Sequence, residues 1–160
     1  MAHSDKKAPS SVHDLRSALA LLKTLPGEYV ETDTEVDPHA ELSGVYRYVG
    51  AGGTCQRPTR KNGPVMVFNN IKGFNDISVA IGLNGSRQRV SQFLQCEPAK
   101  LGHLLKDSVE NAIAPTMVQG AAVCQEVVHL ASDEDFDLRK LLPAPTNTEE
   151  DAGPYITMGL

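Results

Sequence analysis

The first helix is predicted by apolar residues that recur at helical spacing near the start of the chain. Between residues 15 and 22 they lie three or four positions apart, which places one apolar stripe along a helix. Ser11 and Asp14 in front of this stripe have the spacing of a capping box. Pro26-Gly27 predicts where the helix ends.

A strand, a helix and two more strands are predicted next. Residues 28–33 alternate as a short strand does, and Asp37-Pro38 supplies a capping side chain and a proline suited to a first helical turn. Apolar residues in the range 42–49 then repeat at helical intervals. The apolar runs PVMVF at 64–68 and ISVAIGL at 77–83 predict buried strands.

Two further helices and a series of extended segments complete the pattern. Asn84-Gly85-Ser86 predicts the capped start of one helix, and Glu97-Pro98 begins another, which Pro115 ends at the latest. An acidic turn at 133–137 and a proline-rich stretch follow. Because strands and helices are partly segregated along the chain, the order predicts an α+β fold.

The composition narrows the class of protein. A chain of 160 residues suggests one domain, and its net charge of −5 with scattered basic residues argues against a nucleic-acid or anionic-membrane partner. No run approaches the roughly 18 apolar residues of a membrane span, and the N-terminus lacks the apolar region of a signal peptide. We therefore expect a cytoplasmic protein.

The residue types that carry chemistry do not form a known site by spacing alone. The three cysteines lie far apart without a CxxC pair, which favours buried or idle thiols over a metal site. The histidines form neither an HxxxH nor an HExxH pair, and GxSxG is absent. The residues by themselves therefore predict no active site.

One glycine cluster admits two interpretations. GAGG at 50–53 could aim backbone N–H groups at an anion, and Arg57, Arg60 and Lys61 could add charge to such a site. The cluster follows a predicted helix, however, where glycine commonly marks the C-terminal end, whereas a dinucleotide fingerprint lies between a strand and a helix. A helix stop beside a solvated basic loop is favoured, and a small-anion site is the alternative.

The arginines on the helix predicted after Ser86 are interpreted in the same way. Arg87 and Arg89 are expected to be exposed helical arginines, and only a convergent pocket would make them ligands.

Several stretches taken together resemble one family, the UbiD-type decarboxylases that use prenylated flavin mononucleotide. The resemblance spans residues 14–160 and is carried in order by DLRSALALL, ETDTEVDPHAELSGVYRYVGAGG, RPTRKNGPVMVFNNIKGF, NGSRQRV and DLRKLLPAPTNTEEDAGPYITMGL. VDPHAELSGVYRYVGAGGT and RKLLPAPTNT are most similar to the branch that decarboxylates protocatechuate (3,4-dihydroxybenzoate) or gallate.

The resemblance implies a division of the chain into three parts. Residues 1–11 would be a flexible tail, residues 12–118 an N-terminal α/β domain, and residues 119–160 a linker and the start of the flavin-binding domain. PYITMGL would be the first strand of that domain's split β-barrel. Because family members are about three times as long, the resemblance implies an N-terminal fragment that is inactive alone.

The resemblance also implies the chemistry of the complete enzyme. A prenylated flavin with a divalent metal, and potassium as a further ion, would serve as electron sink for loss of carbon dioxide from an aromatic acid. The family's metal ligands and its Glu-Arg-Glu proton network would lie beyond this chain, which therefore holds no catalytic residue and no metal ligand. Thr157 and Met158 would line the flavin or substrate, with simple barrel packing as the alternative. A homo-oligomer is expected of the complete enzyme.

A rival hypothesis makes the protein a non-catalytic accessory domain. In that case the exposed PYITMGL strand would pair with a partner chain, because an unpaired apolar strand invites such pairing.

Overall fold

The computed structural model describes residues 12–122, 125–130, 132–134, 136–142 and 146. Within these ranges the chain forms short helices around a small sheet, as the α+β prediction requires. In chain order the elements are α1 (Leu15–Lys23), β1 (Tyr29–Thr32), α2 (Glu41–Gly50), β2 (Val65–Phe68), β3 (Val79–Ile81), α3 (Arg87–Phe93), a 3₁₀ turn (Pro98–Lys100), α4 (Leu101–Glu110) and α5 (Leu138–Leu141).

The three strands form one mixed sheet in the order β1-β2-β3. β1 pairs parallel to β2, with Tyr29 opposite Val65, and β2 pairs antiparallel to β3, with Phe68 opposite Val79. The parallel pair needs a crossover, and α2 supplies it. Every residue of β2 is buried, which explains why the central strand has a continuous apolar sequence and no alternation.

The main apolar core lies where α2 meets the sheet. Its buried members are Val36, Leu42, Met66, Phe68 and Ile71. An isolated parallel bridge between Val36 and Ile71 continues the β1-β2 pairing beyond the strands and brings both side chains into this core.

The cap of α1 differs from the predicted one. Ser11, the expected capping residue, lies outside the described residues, and Asp14 is the N-cap. Its carboxylate accepts a 2.7 Å hydrogen bond from the Ser17 N–H, and the Ser17 hydroxyl oxygen accepts from the Asp14 N–H at 3.1 Å. Serine takes the role usually given to glutamate in a capping box, so the prediction was wrong by three positions.

The start of α2 also differs from the prediction. Asp37 does not cap the helix; its carboxylate accepts a 2.9 Å bond from the His39 N–H in the preceding turn. The N-cap is Ala40, whose φ of 62° lies in the left-handed region that non-glycine residues rarely occupy. The helix therefore begins at Glu41, three residues after the proline that was expected in its first turn.

The last two predicted helices are present, but α4 is less buried than its apolar stripe predicts. Ser86 caps α3 as predicted, its hydroxyl accepting from the Arg89 N–H. Pro98 begins a 3₁₀ turn before α4. The apolar stripe of α4 is buried at Leu101 only, whereas the side chain of Val109 is 81% exposed. None of the helices in the described ranges has the length and apolarity needed to span a bilayer.

Candidate functional site

The two residues predicted to line a flavin or substrate lie beyond the described chain. Thr157 and Met158, within the PYITMGL stretch that was predicted to be a strand, follow the last described residue, Thr146. Their role therefore stays a prediction.

Thr146 is seated on the N-terminal end of α2. Its Oγ1 accepts a 2.9 Å hydrogen bond from the Ala40 N–H and lies 2.9 Å from His39 Nδ1. Its backbone N–H donates to the Pro38 carbonyl at 3.1 Å, and its own carbonyl accepts from the Ser43 hydroxyl at 3.1 Å. The side chain is buried, with 5% exposure. These contacts hold Thr146 against the start of α2.

A buried arginine ties the ends of all three strands together. Arg89 is 1% exposed, and its Nη2 lies 2.7 Å from the carboxylate of Glu28. Its guanidinium also donates to the Gly82 carbonyl at 2.6 Å and to the Gly63 carbonyl at 2.7 Å. We expected Arg89 to be an exposed helical arginine, and that expectation was wrong because three separate acceptors converge on it. Arg87, for which the same was expected, is exposed, and its Nη1 donates to the Pro98 carbonyl.

A polar cluster lies on the outer edge strand. The Asn69 amide donates to Glu31 Oε1 at 2.9 Å, and the Lys23 ammonium and Tyr29 hydroxyl meet Glu31 Oε2 at 3.0 and 2.9 Å. The hydrogen bonds from Asn69, then Lys23, then Tyr29 lower the pKa of Glu31 from 4.5 to about 2. A carboxylate held ionised by three donors is suited to a structural role, because its low pKa makes it a weak general base near neutral pH.

The glycine cluster is a helix stop, as the favoured interpretation held. Gly52 and Gly53 have φ of 88° and 80°, and their N–H groups donate to carbonyls in the last turn of α2. These amides are consequently committed to ending the helix and cannot cradle a phosphate.

The loop that follows the glycines forms one wall of a cavity against α2. The cavity has a volume of about 320 Å³, and Arg60 and Lys61 line it together with Arg47 of the helix. Gly63 approaches Gly50 so closely that an added Cβ would lie 2.6 Å from the Gly50 Cα. Arg57, the third predicted cation of this loop, is exposed and does not line the cavity. Arg47 was missed because a lone arginine on a helix carries no spacing signal.

Among the described residues, no group of three His, Cys, Asp or Glu side chains is arranged to hold a metal ion. Of the two described cysteines, Cys55 is exposed and Cys96 is partly exposed, and both are free thiols. The described part of the chain thus supplies a scaffold, a seat for Thr146 and a basic cavity.

Comparison with known sequences shows which proteins this chain is similar to. Residues 21–108 match the 3-octaprenyl-4-hydroxybenzoate carboxy-lyase N-terminal domain, and residues 116–160 match the Rift-related domain of the same carboxy-lyase. The chain is 55% identical over 148 residues to the gallate decarboxylase of Lactiplantibacillus plantarum, covering 92% of this chain and 30% of that protein.

Solved structures of a decarboxylase and of a UbiD-class enzyme are also similar to this chain. The apo 3,4-dihydroxybenzoic acid decarboxylase of Enterobacter cloacae is similar with 55% identity and a TM-score of 0.75, over 89% of this chain and 29% of that one. An evolved dimeric form of the UbiD-class enzyme HmfF of Pelotomaculum thermopropionicum, in complex with prFMN, is similar with 29% identity and a TM-score of 0.71. That match covers 91% of this chain and 30% of the HmfF chain.

The chain thus spans about 30% of the length of the relatives it matches. Both family matches lie within the resemblance predicted from the sequence, and together they cover the sheet, most of the helical residues and Thr146. The chain belongs to the UbiD family of carboxy-lyases.

Proposed function

We propose that this chain is the N-terminal part of a non-oxidative decarboxylase that acts on a hydroxylated benzoic acid such as gallate or 3,4-dihydroxybenzoate. The observation that carries the proposal is the 55% identity to a gallate decarboxylase over 148 residues. The product would be the corresponding phenol and carbon dioxide. Because the chain spans 30% of that relative, we expect no activity from these 160 residues alone.

The complete enzyme would use prenylated FMN, with a divalent metal and potassium as accompanying ions. Support for the flavin comes from the HmfF structures, which contain prFMN or FMN. The flavin supplies an electron sink for decarboxylation. Thr157 and Met158 are proposed to line the flavin or substrate, and no metal ligand is assigned to this chain.

The proposed division of labour gives residues 12–118 a scaffold role and residues 119–160 the approach to the flavin. The Thr146 seat supports it, because a residue held on α2 directs the chain that follows. We further propose that the enzyme is cytoplasmic and assembles as a homo-oligomer. The dimeric form of HmfF is a precedent within the family.

The rival hypothesis of a free-standing interaction domain is not favoured. The relatives that match this chain in sequence and in structure are decarboxylases. Nothing in the described residues favours pairing with a partner chain over contact with the family's own downstream domain.

The test is a chimera in which this chain replaces the matching N-terminal segment of the Lactiplantibacillus plantarum gallate decarboxylase. Loaded with prenylated FMN, the chimera should release carbon dioxide from gallate or 3,4-dihydroxybenzoate, and the 160-residue chain should not. A chimera that folds and binds the flavin but leaves both acids intact would overturn the proposal.

The lining role is tested in the same chimera. Thr157→Val and Met158→Leu should change KM for the acid or the absorption spectrum of the bound flavin. Arg16→Gln, a substitution on α1, is the matched control and should change neither. If the two variants match the control in both measurements, the lining role is wrong.

A further inference from the structure

The cavity between α2 and the loop at 54–63 has the dimensions and chemistry of a binding site. Its volume of about 320 Å³ falls at the lower end of the range that small-molecule sites occupy. A second space, also of about 320 Å³, adjoins it and shares Arg47, Thr54 and Cys55. The two spaces therefore lie next to each other beside α2.

The charges around this cavity have one sign. Among the residues that the structure describes, Arg47, Arg60 and Lys61 line it, and neither an aspartate nor a glutamate does. This is notable in a chain whose net charge is −5. Within the described ranges, the ion pairs of the protein engage five other cations, namely Lys23, Lys72, Arg89, Lys100 and Lys106.

The loop that carries Arg60 and Lys61 is held against the helix. Thr59 donates both its backbone N–H and its hydroxyl to the Ala51 carbonyl, at 2.9 and 3.2 Å. The Gly50 and Gly63 backbones are in close contact, and both glycines line the same cavity. The cationic side chains therefore extend from a fixed backbone on either side of the space, which reduces the ordering cost of binding.

We propose that this cavity binds a small organic molecule through an oxyanion, either a carboxylate or a phosphate. Two guanidinium groups and an ammonium offer forked and point donors suited to such oxygens. Ala51 and Pro58 add apolar surface to the lining for the remainder of the ligand, whereas the ring of Tyr46, which also borders the cavity, packs against Gly82 and the core. The backbone N–H groups of Gly52 and Gly53 donate to carbonyls of α2, so they do not contribute to this binding. The site needs only this chain, so it stands or falls independently of the proposed decarboxylase.

The test is a titration of the ¹⁵N-labelled 160-residue chain, followed by NMR, with inorganic phosphate in one arm and benzoate in the other. Ionic strength is held constant with sodium chloride in both arms. We expect saturable shifts confined to the amides of residues 44–63 in at least one arm, and the arm that saturates identifies the preferred oxyanion. Linear shifts without saturation in both arms would overturn the proposal.

Variants separate a site from general attraction by charge. Arg47→Gln and Arg60→Gln should each weaken binding about tenfold or more, since each removes a charged donor. Arg60→Lys should lie between, because it keeps the charge and loses the fork. Arg16→Gln removes the same charge from α1 and should bind as the parent does. Equal affinity of Arg60→Gln and Arg16→Gln would rule out the site, and the amide dispersion of each variant shows whether it is folded.

Discussion

The Arg89 guanidinium donates from both Nε and Nη2 to a single carboxylate oxygen of Glu28, sixty-one residues away in the sequence. Arg89 is 1% exposed at its side chain, whereas Glu28 retains 31% exposure. A buried charge without its partner costs more than the pair contributes. The pair therefore makes correct docking of α3 on the strand ends a condition for stable folding.

Removing the carboxylate should consequently destabilise the fold. Glu28→Ala leaves the buried guanidinium with only carbonyl partners, and we expect the free energy of unfolding to fall by about 3 kcal/mol in a urea titration. Glu97→Ala breaks an ion pair whose two side chains are both 69% exposed, and it should cost no more than about 0.5 kcal/mol. Equal losses in the two variants would contradict a special role for the buried pair.

The two glycines that meet beside the cavity should respond differently to alanine. In Gly63→Ala the new Cβ would lie 2.6 Å from the Gly50 Cα, so backbone must shift, and we expect a loss of about 1–3 kcal/mol in unfolding free energy. In Gly50→Ala the nearest atom is 3.9 Å away and the residue lies in α2, where alanine is favoured by up to about 1 kcal/mol. A thermal unfolding series of both variants checks the sign of each change.

Acid stability should depend on Glu31. Because its pKa is lowered from 4.5 to about 2 in the folded state, its contribution is fully present above pH 4.5 and is lost as the pH falls toward 2. Glu31→Gln should therefore reduce stability at pH 7 and make the decline between pH 5 and pH 2 shallower.

Glu110→Gln, which removes the same charge from the end of α4, is the control. Subtracting its curve of unfolding free energy against pH from that of Glu31→Gln removes the effect of net charge. The idea fails if the two variants give parallel curves across this acid range.

The hydrogen bond from the Ala40 N–H to the Thr146 hydroxyl predicts a local effect on hydrogen exchange. Thr146→Val removes the acceptor for the Ala40 N–H, and we expect hydrogen exchange at that amide to accelerate at least about tenfold. Thr146→Ser keeps the hydroxyl and should retain most of the protection. Unchanged exchange in the valine variant would mean that the hydroxyl does not hold the segment on α2.

Local patterns predicted the elements well and the long-range contacts poorly. Ser86 before α3 and the apolar run that became β2 were recognised because capping and burial leave their mark on adjacent residues. Arg89 was misassigned because its acceptors come from distant parts of the chain. Ala40 was not anticipated as a cap, because its positive φ has no signature in the residue type.

The candidate cavity was predicted in part. Arg60 and Lys61 were recognised as possible anion ligands from their crowding in one loop, and the glycines were correctly given a different task. The contribution of Arg47 depends on how α2 packs against that loop, which single-chain periodicity does not encode.

The position of the core in the sequence bears on the order of folding during synthesis. Every buried apolar residue in the described ranges lies between Ala18 and Leu101, whereas Thr146 joins α2 from 106 residues beyond Ala40. A ribosome delivers the N-terminal residues first, and domains fold as units as they emerge. The residues at the start of α2 that bind Thr146 can therefore be folded before Thr146 is synthesised. The folded N-terminal part then offers a preformed binding surface for Thr146.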